Sequence, residues 1–207
     1  MPTLLEKIEQ NATKRLTLPA GRAPSQELSR YKRFLKVENH RLKILHRSGA
    51  SGREVCRARA MVYDVLIQHI LEGVLASNPE LRKVDSAPWA LVATGGYGRA
   101  ELNPLSDIDI MFLFHGEIVS RGKPHPYLST LNEGLLLALW DVGLKVGHSV
   151  RSVFDCVQLA NRDMQSKTSL LEARLITGNS ELFRILQKSI YDKAGSGKDN
   201  DYVTARL

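Results

Sequence analysis

Two carboxylates two residues apart open the run Asp107-Ile108-Asp109-Ile110-Met111-Phe112-Leu113-Phe114. On a β-strand, side chains two apart share a face, so Asp107 and Asp109 point one way while Ile108, Ile110, Phe112 and Phe114 point the other. Their Cα atoms lie roughly 6.6 Å apart at a rise of about 3.3 Å per residue. Side chains at that spacing can converge on Mg²⁺, a hard cation that takes oxygen ligands at roughly 2.0–2.1 Å. Carboxylates on an otherwise apolar strand are costly to bury unless a cation or donors satisfy them. By itself an Asp-x-Asp also fits a surface turn or a strand end. Upstream, however, Gly95, Gly96 and Gly98 follow an apolar run, where bare Cα atoms let backbone amides approach a phosphate. Arg99 adds a planar cation suited to phosphate oxygens, and Ser106 a hydroxyl beside the first carboxylate. The glycines alone would also fit a tight strand-exit turn. They lack the Lys-Ser/Thr of a P-loop and the full spacing of a dinucleotide fingerprint. The informative feature is the order: apolar strand, glycine loop with Arg, short connection, strand with paired carboxylates. That order sets phosphate donors beside a metal site.

The elements that must hold this arrangement can be read from periodicity. Trp89–Thr94, Asp107–Phe114 and Lys145–Ser152 read as strands, and Ser129–Asp141 as a strongly apolar helix. Gly116–Pro126 reads as a polar loop. Residues 154–194 read as two or three amphipathic helices broken at Gly178. Before the first strand the pattern is helical: weakly over Leu4–Leu16, then, after a Pro/Gly/Ala segment ending at Pro24, along a helix capped by Ser25. A third helix follows Ser51, whose spacing to Glu54 makes a capping box. The expected fold is α/β, a small mixed sheet with flanking helices and an α-helical N-terminal annex. The expected domains are residues 1–82 (helical), 83–194 (the sheet with its C-terminal helices) and 195–207 (a linker-like polar tail).

Composition narrows the class. The chain has 207 residues and 25% charged residues, ordinary for a globular protein. Its apolar stretches read as too short and interrupted to span a bilayer. The N-terminus, with Glu6, Lys7 and Glu9, lacks the apolar core of a secretory signal. Cys56 and Cys156 sit in apolar, helix-patterned surroundings and read as buried thiols of a reducing compartment. Together these point to the cytoplasm and away from membrane partners. The net charge of +7 is uneven: residues 1–60 hold 14 Lys and Arg against 5 Asp and Glu, and residues 61–207 hold 15 against 17. The basic third fits a solvated helix surface or a docking surface for an acidic partner or nucleic acid equally well. Its few aromatics, Tyr31 and Phe34, argue against a nucleic-acid surface built on base stacking.

The stretch Gly95-Gly96-Tyr97-Gly98-Arg99-Ala100-Glu101-Leu102-Asn103-Pro104-Leu105-Ser106-Asp107-Ile108-Asp109 resembles the nucleotidyltransferase signature of the bacterial protein-PII uridylyltransferases, members of the DNA polymerase β-like superfamily. The likeness continues through Leu139-Trp140-Asp141-Val142-Gly143-Leu144-Lys145-Val146-Gly147-His148-Ser149-Val150-Arg151 and, more faintly, to Ala173-Arg174-Leu175. The resemblance implies that Gly95 and Gly96 hold nucleotide phosphates and that Asp107 and Asp109 bind Mg²⁺. It implies UTP as donor and a tyrosine hydroxyl of a PII-type signal protein as acceptor. One departure stands out. The superfamily commonly places a third carboxylate on a later strand, and Lys145–Ser152 contains neither Asp nor Glu. Its His148 reads as a structural histidine before a metal ligand. Two carboxylates can still hold Mg²⁺, which keeps several waters and uses substrate phosphates. Two rival readings follow: a regulatory module that kept the fold without the activity, and a polynucleotide-directed nucleotidyltransferase served by the basic N-terminal helices.

Overall fold

The structure, a computed structural model, describes residues 3–83, 88–115 and 126–195. Met1, Pro2, most of the loop expected at Gly116–Pro126, and the tail expected at 195–207 beyond Gly195 lie outside the described residues. The chain forms two compact units. One comprises Met1–Asp85, Ala100–Ile108 and Pro124–Gly147, and the other Ser86–Arg99, Asp109–Lys123 and His148–Leu207.

The first unit is helical. Helix α1 (Leu4–Leu16) starts at a capping box in which Glu6 N donates to Thr3 Oγ1 and Thr3 N donates to Glu6 Oε2. Helix α2 (Leu28–Arg47) does not begin at Ser25, as its sequence suggested. Pro24 instead opens a 3₁₀ turn, Pro24–Gln26, and α2 starts after Glu27 without a side-chain cap. Helix α3 (Gly52–Ser77) begins at the expected box, with Glu54 N donating to Ser51 Oγ. It is long and apolar enough to cross a membrane by length and composition, contrary to the sequence reading. Here it is a core helix: α1, α2 and α5 (Pro126–Val142) pack around it, and Leu66, Ile67 and Ile70 are fully buried. One buried charge ties α1 to α2. Glu38, only 2% exposed, accepts from Asn11 Nδ2 and from Arg41 at 2.7 Å, which satisfies a carboxylate that would otherwise be costly to desolvate.

The second unit is built on a sheet of strands β1 (Trp89–Ala93), β2 (Ile108–Phe114), β3 (Val146–Ser152) and β4 (Arg174–Gly178) in the order β3-β2-β1-β4. β1 runs antiparallel to both neighbours, its register with β2 running from Trp89↔Phe114 to Ala93↔Ile110. Ile108 N donates to Lys145 O at 3.0 Å. This brings the starts of β2 and β3 together, so that pair is parallel and the sheet mixed, as expected. A one-turn helix α4 (Gly95–Gly98) follows β1, and α6 (Val153–Arg162), α7 (Met164–Leu171) and α8 (Ser180–Gly195) complete the unit. Val92, Met111, Leu113, Cys156, Leu170 and Leu186 share its core.

β4 corrects the sequence reading, which placed residues 154–194 wholly in helices. Five residues are too few to establish a period, and β4 exists only because β1 offers it an edge. The cysteines also differ from expectation in one respect. Cys156 is buried, its Sγ 3.6 Å from Met111 Sδ, whereas Cys56 is half-buried and hydrogen-bonds to Asn103 Oδ1 at 3.2 Å. Burial pushes the Cys156 thiol up to about 12, and the thiolate is the reactive form. We therefore expect Cys56 to react with a thiol reagent at neutral pH in the folded protein and Cys156 only after unfolding. Mass spectrometry of the labelled peptides reads this directly, and equal labelling rates would contradict the packing of the sheet unit.

Candidate active site

β2 is buried along its whole length except at Asp109. Asp109 belongs to the sheet unit, and so does the glycine segment. Leaving β1, Thr94 N donates to Asp109 O at 3.0 Å, and Gly95 takes a left-handed conformation, φ 59°. The segment read as an open loop closes into the single turn of α4, with Gly98 N on Thr94 O at 3.0 Å and Arg99 N on Gly95 O at 3.3 Å. A Cβ placed on Gly95 would lie 3.4 Å from Asp109 Oδ2. The exposed carboxylate thus rests beside a bare Cα, and the space a side chain would fill stays open.

Residues from α7 and β4 pin this turn, and sequence reading did not find them. Ser169 Oγ accepts the Gly95 N–H at 3.1 Å. Glu172 pairs with Arg99, and its carbonyl oxygen would lie 2.5 Å from a Cβ on Gly98. Arg174 sits over the buried Tyr97 ring at 5.4 Å and donates to Tyr97 O at 3.3 Å. Of the predicted phosphate donors, then, Gly95 offers its amide to Ser169 and Arg99 its guanidinium to Glu172. Gly96 lies in the first turn of α4.

Ser106 and Asp107 belong to the helical unit and are exposed. Their segment is held against α3. Leu102, buried, donates its N–H to Cys56 O at 3.3 Å, and Arg53 Nε meets Glu101 Oε1 at 2.7 Å. Ser106 N closes a turn on Asn103 O at 3.1 Å. Asp107 stands one residue before β2, so chain connectivity alone keeps its Cα within roughly 7 Å of that of Asp109.

Asp107 and Asp109 are each exposed and offer hard oxygens of the kind Mg²⁺ takes, and Gly95 leaves room beside Asp109. Among the described residues no group of three or more His, Cys, Asp and Glu side chains is placed to hold a metal. His148 on β3 is exposed.

Comparison with known proteins bears on this arrangement. The family described as "Putative nucleotidyltransferase DUF294" matches residues 39–149. Over 165 residues, 77% of its length, the chain is 36% identical to a "Bifunctional uridylyltransferase/uridylyl-removing enzyme" of Caulobacter vibrioides, of which it covers 16%. Over 166 residues it is 34% identical to an Erythrobacter litoralis protein of the same description, covering 17% of that relative. The chain thus spans about a sixth of the length of these relatives.

Two glycine substitutions separate packing from backbone strain in the turn. Gly98→Ala drives a methyl into the Glu172 carbonyl and should cost about 3 kcal/mol, the upper end for overpacking. Gly95→Ala meets no backbone and should cost about 1–2 kcal/mol, the penalty of a left-handed L-residue. Urea midpoints measure both, and a harmless Gly98→Ala would show that α7 does not clamp the turn.

Proposed function

The chain belongs to the nucleotidyltransferase family that matches residues 39–149, and from that membership we propose that it transfers UMP from UTP to a protein hydroxyl, releasing pyrophosphate. Nucleotidyl transfer is the family's chemistry. The uridylyl group is favoured by the likeness to the two uridylyltransferases. A tyrosine of a PII-type signal protein as acceptor is favoured by the resemblance of Gly95–Asp109 to the PII-modifying signature. Both substrates are those of a cytoplasmic enzyme.

One observation carries the site assignment: Asp109 is the single exposed position on a buried strand, set against the bare Cα of Gly95. Asp107 and Asp109 are the residues that would hold Mg²⁺. When bound, that ion supplies charge stabilisation at the phosphoryl oxygens and lowers the pKa of the attacking hydroxyl. The acceptor oxygen forms a bond to the α-phosphorus as the bond from that phosphorus to the bridging oxygen of pyrophosphate breaks. The hydroxyl proton goes to Asp109, the carboxylate beside the open space, or to solvent. Arg99 can exchange its half-buried partner Glu172 for a phosphate oxygen at small cost, since ion pairs open to solvent contribute only about 0–1 kcal/mol. The two-carboxylate donor set also supports a second reading, a regulatory module without turnover, and Mg²⁺-dependent label transfer decides between them.

The test is incubation with Mg²⁺, each labelled NTP in turn, and a PII protein. Label should transfer from UTP only with Mg²⁺ present. Asp107→Asn and Asp109→Asn should each slow transfer by roughly a hundredfold or more, about 2.7 kcal/mol of barrier. Their metal-free stability should be unchanged or higher, because removing one carboxylate relieves like-charge repulsion. Full Mg²⁺-dependent turnover by either variant would sink the assignment.

A further inference from the structure

Within the helical unit a groove of about 500 Å³ opens between α2, α3 and the segments that lead into β2 and β3. Its size is that of a small-molecule pocket, roughly 300–1,000 Å³. Four cations line it: Lys32 and Lys36 from α2, Arg59 from α3, and Lys145 from the approach to β3. Asp107 is the sole carboxylate in the lining.

Lys32 and Lys36 are four apart on one helix face, where like charges destabilise each other. Among the described residues neither they nor Lys145 has an ion-pair partner. Arg59 differs. Its Nη1 donates to Asn39 Oδ1 at 3.1 Å and its Nη2 to the Tyr63 hydroxyl at 2.8 Å, while its Nε is buried without an acceptor. The guanidinium also lies 4.8 Å over the Tyr63 ring. The Tyr63 oxygen is therefore already an acceptor, and the hydroxyl, which keeps its proton, also meets the Asn39 side chain. Burial raises the Tyr63 pKa, which keeps that proton in place at neutral pH. The groove thus gathers donors and positive charge, fixed by Arg59, Asn39 and Tyr63, with little negative charge to balance them.

We propose that this groove binds the phosphate chain of a small molecule, a condensed phosphate or a nucleotide. Ammonium groups on flexible stems serve as point charges for phosphate oxygens, and charge-assisted hydrogen bonds are the strong class. Because Asp107 lines the groove, the occupant lies beside a carboxylate assigned above to the metal. That placement rests on the proposed function, whereas the anion site itself does not. The phosphates are either those of the transfer reaction or those of a separate phosphorylated effector.

The probe is pyrophosphate, titrated calorimetrically into the protein in EDTA so that no divalent metal contributes. One-to-one binding is expected. The double variant Lys32→Ala/Lys36→Ala should bind at least tenfold more weakly, Lys145→Gln should also weaken binding, and Arg33→Ala, which removes an exposed cation outside the groove lining, should bind as wild type. No binding by the metal-free wild type, or equal loss with Arg33→Ala, would overturn the proposal. Assays of label transfer identify the source. Competition between pyrophosphate and NTP, with a raised KM in the lysine variants, assigns the groove to the reaction's own phosphates. Non-competitive inhibition with unchanged KM assigns it to an effector. Groove-dependent binding in a wild-type protein that transfers no label would overturn the catalytic reading alone.

Discussion

β2 has to be buried on both faces and still present a carboxylate, and the rest of the sheet unit follows from how that is done. Six of its seven residues are buried and Asp109 is not. The open position lies near the start of the strand, where the core cluster around Met111 and Leu113 has not yet begun. Pairing with β1 then fixes what stands next to it. The register ends at Ala93↔Ile110, so the chain leaves β1 beside Asp109 and must turn at once, which Thr94 and Gly95 do. A slip of one residue would turn Asp109 to the other face of the strand and bring a neighbouring isoleucine to the opening. The glycine turn is where it is because the strand register puts it there.

Holding the turn engages the groups that would otherwise be free to bind a ligand. Ser169 takes the Gly95 amide and Glu172 takes the Arg99 guanidinium, both from the α7–β4 segment. The two engagements differ in kind. The Gly95–Ser169 bond is part-buried, and an unsatisfied buried amide costs about 1–3 kcal/mol. The Arg99–Glu172 pair is partly exposed, 48% and 31%, and reached by solvent. The amide therefore shapes the turn, while Arg99 remains exchangeable. A loop read simply as a row of phosphate donors divides into a structural part and a labile part.

Much of this was legible in the sequence, for reasons that can be named. The capping box at Ser51 and the buried run of β1 are local signals, carried by residues close together in the chain. Asp107 and Asp109 could be singled out because acidic residues at the head of an apolar run are conspicuous, although β2 itself begins only at Ile108. β4 could not be read, because Arg174–Gly178 is a strand only by pairing with β1, some eighty residues earlier in the chain. Ser169, Glu172 and Arg174 were invisible for the same reason: each acts on a segment more than seventy residues away. Ser25 misled because a good capping residue followed Pro24, and the proline's preference for opening a 3₁₀ turn prevailed.

The basic N-terminal third looked like one undivided surface in sequence, and the fold sorts it. Arg30 pairs with Glu27, Arg41 with the buried Glu38, and Arg53 with Glu101. Arg59 joins Asn39 to Tyr63, and so α2 to α3. The role of Arg59 suits guanidinium, whose planar fork makes two directed bonds at once. The lysines at 32 and 36 are left without carboxylates and lie on the groove. An ammonium on a flexible stem makes a poor clamp but an adaptable charge. Part of the excess positive charge in this stretch is therefore divided by role: Arg53 and Arg59 tie separate segments to one another, and Lys32 and Lys36 supply charge that the fold leaves unbalanced beside Asp107.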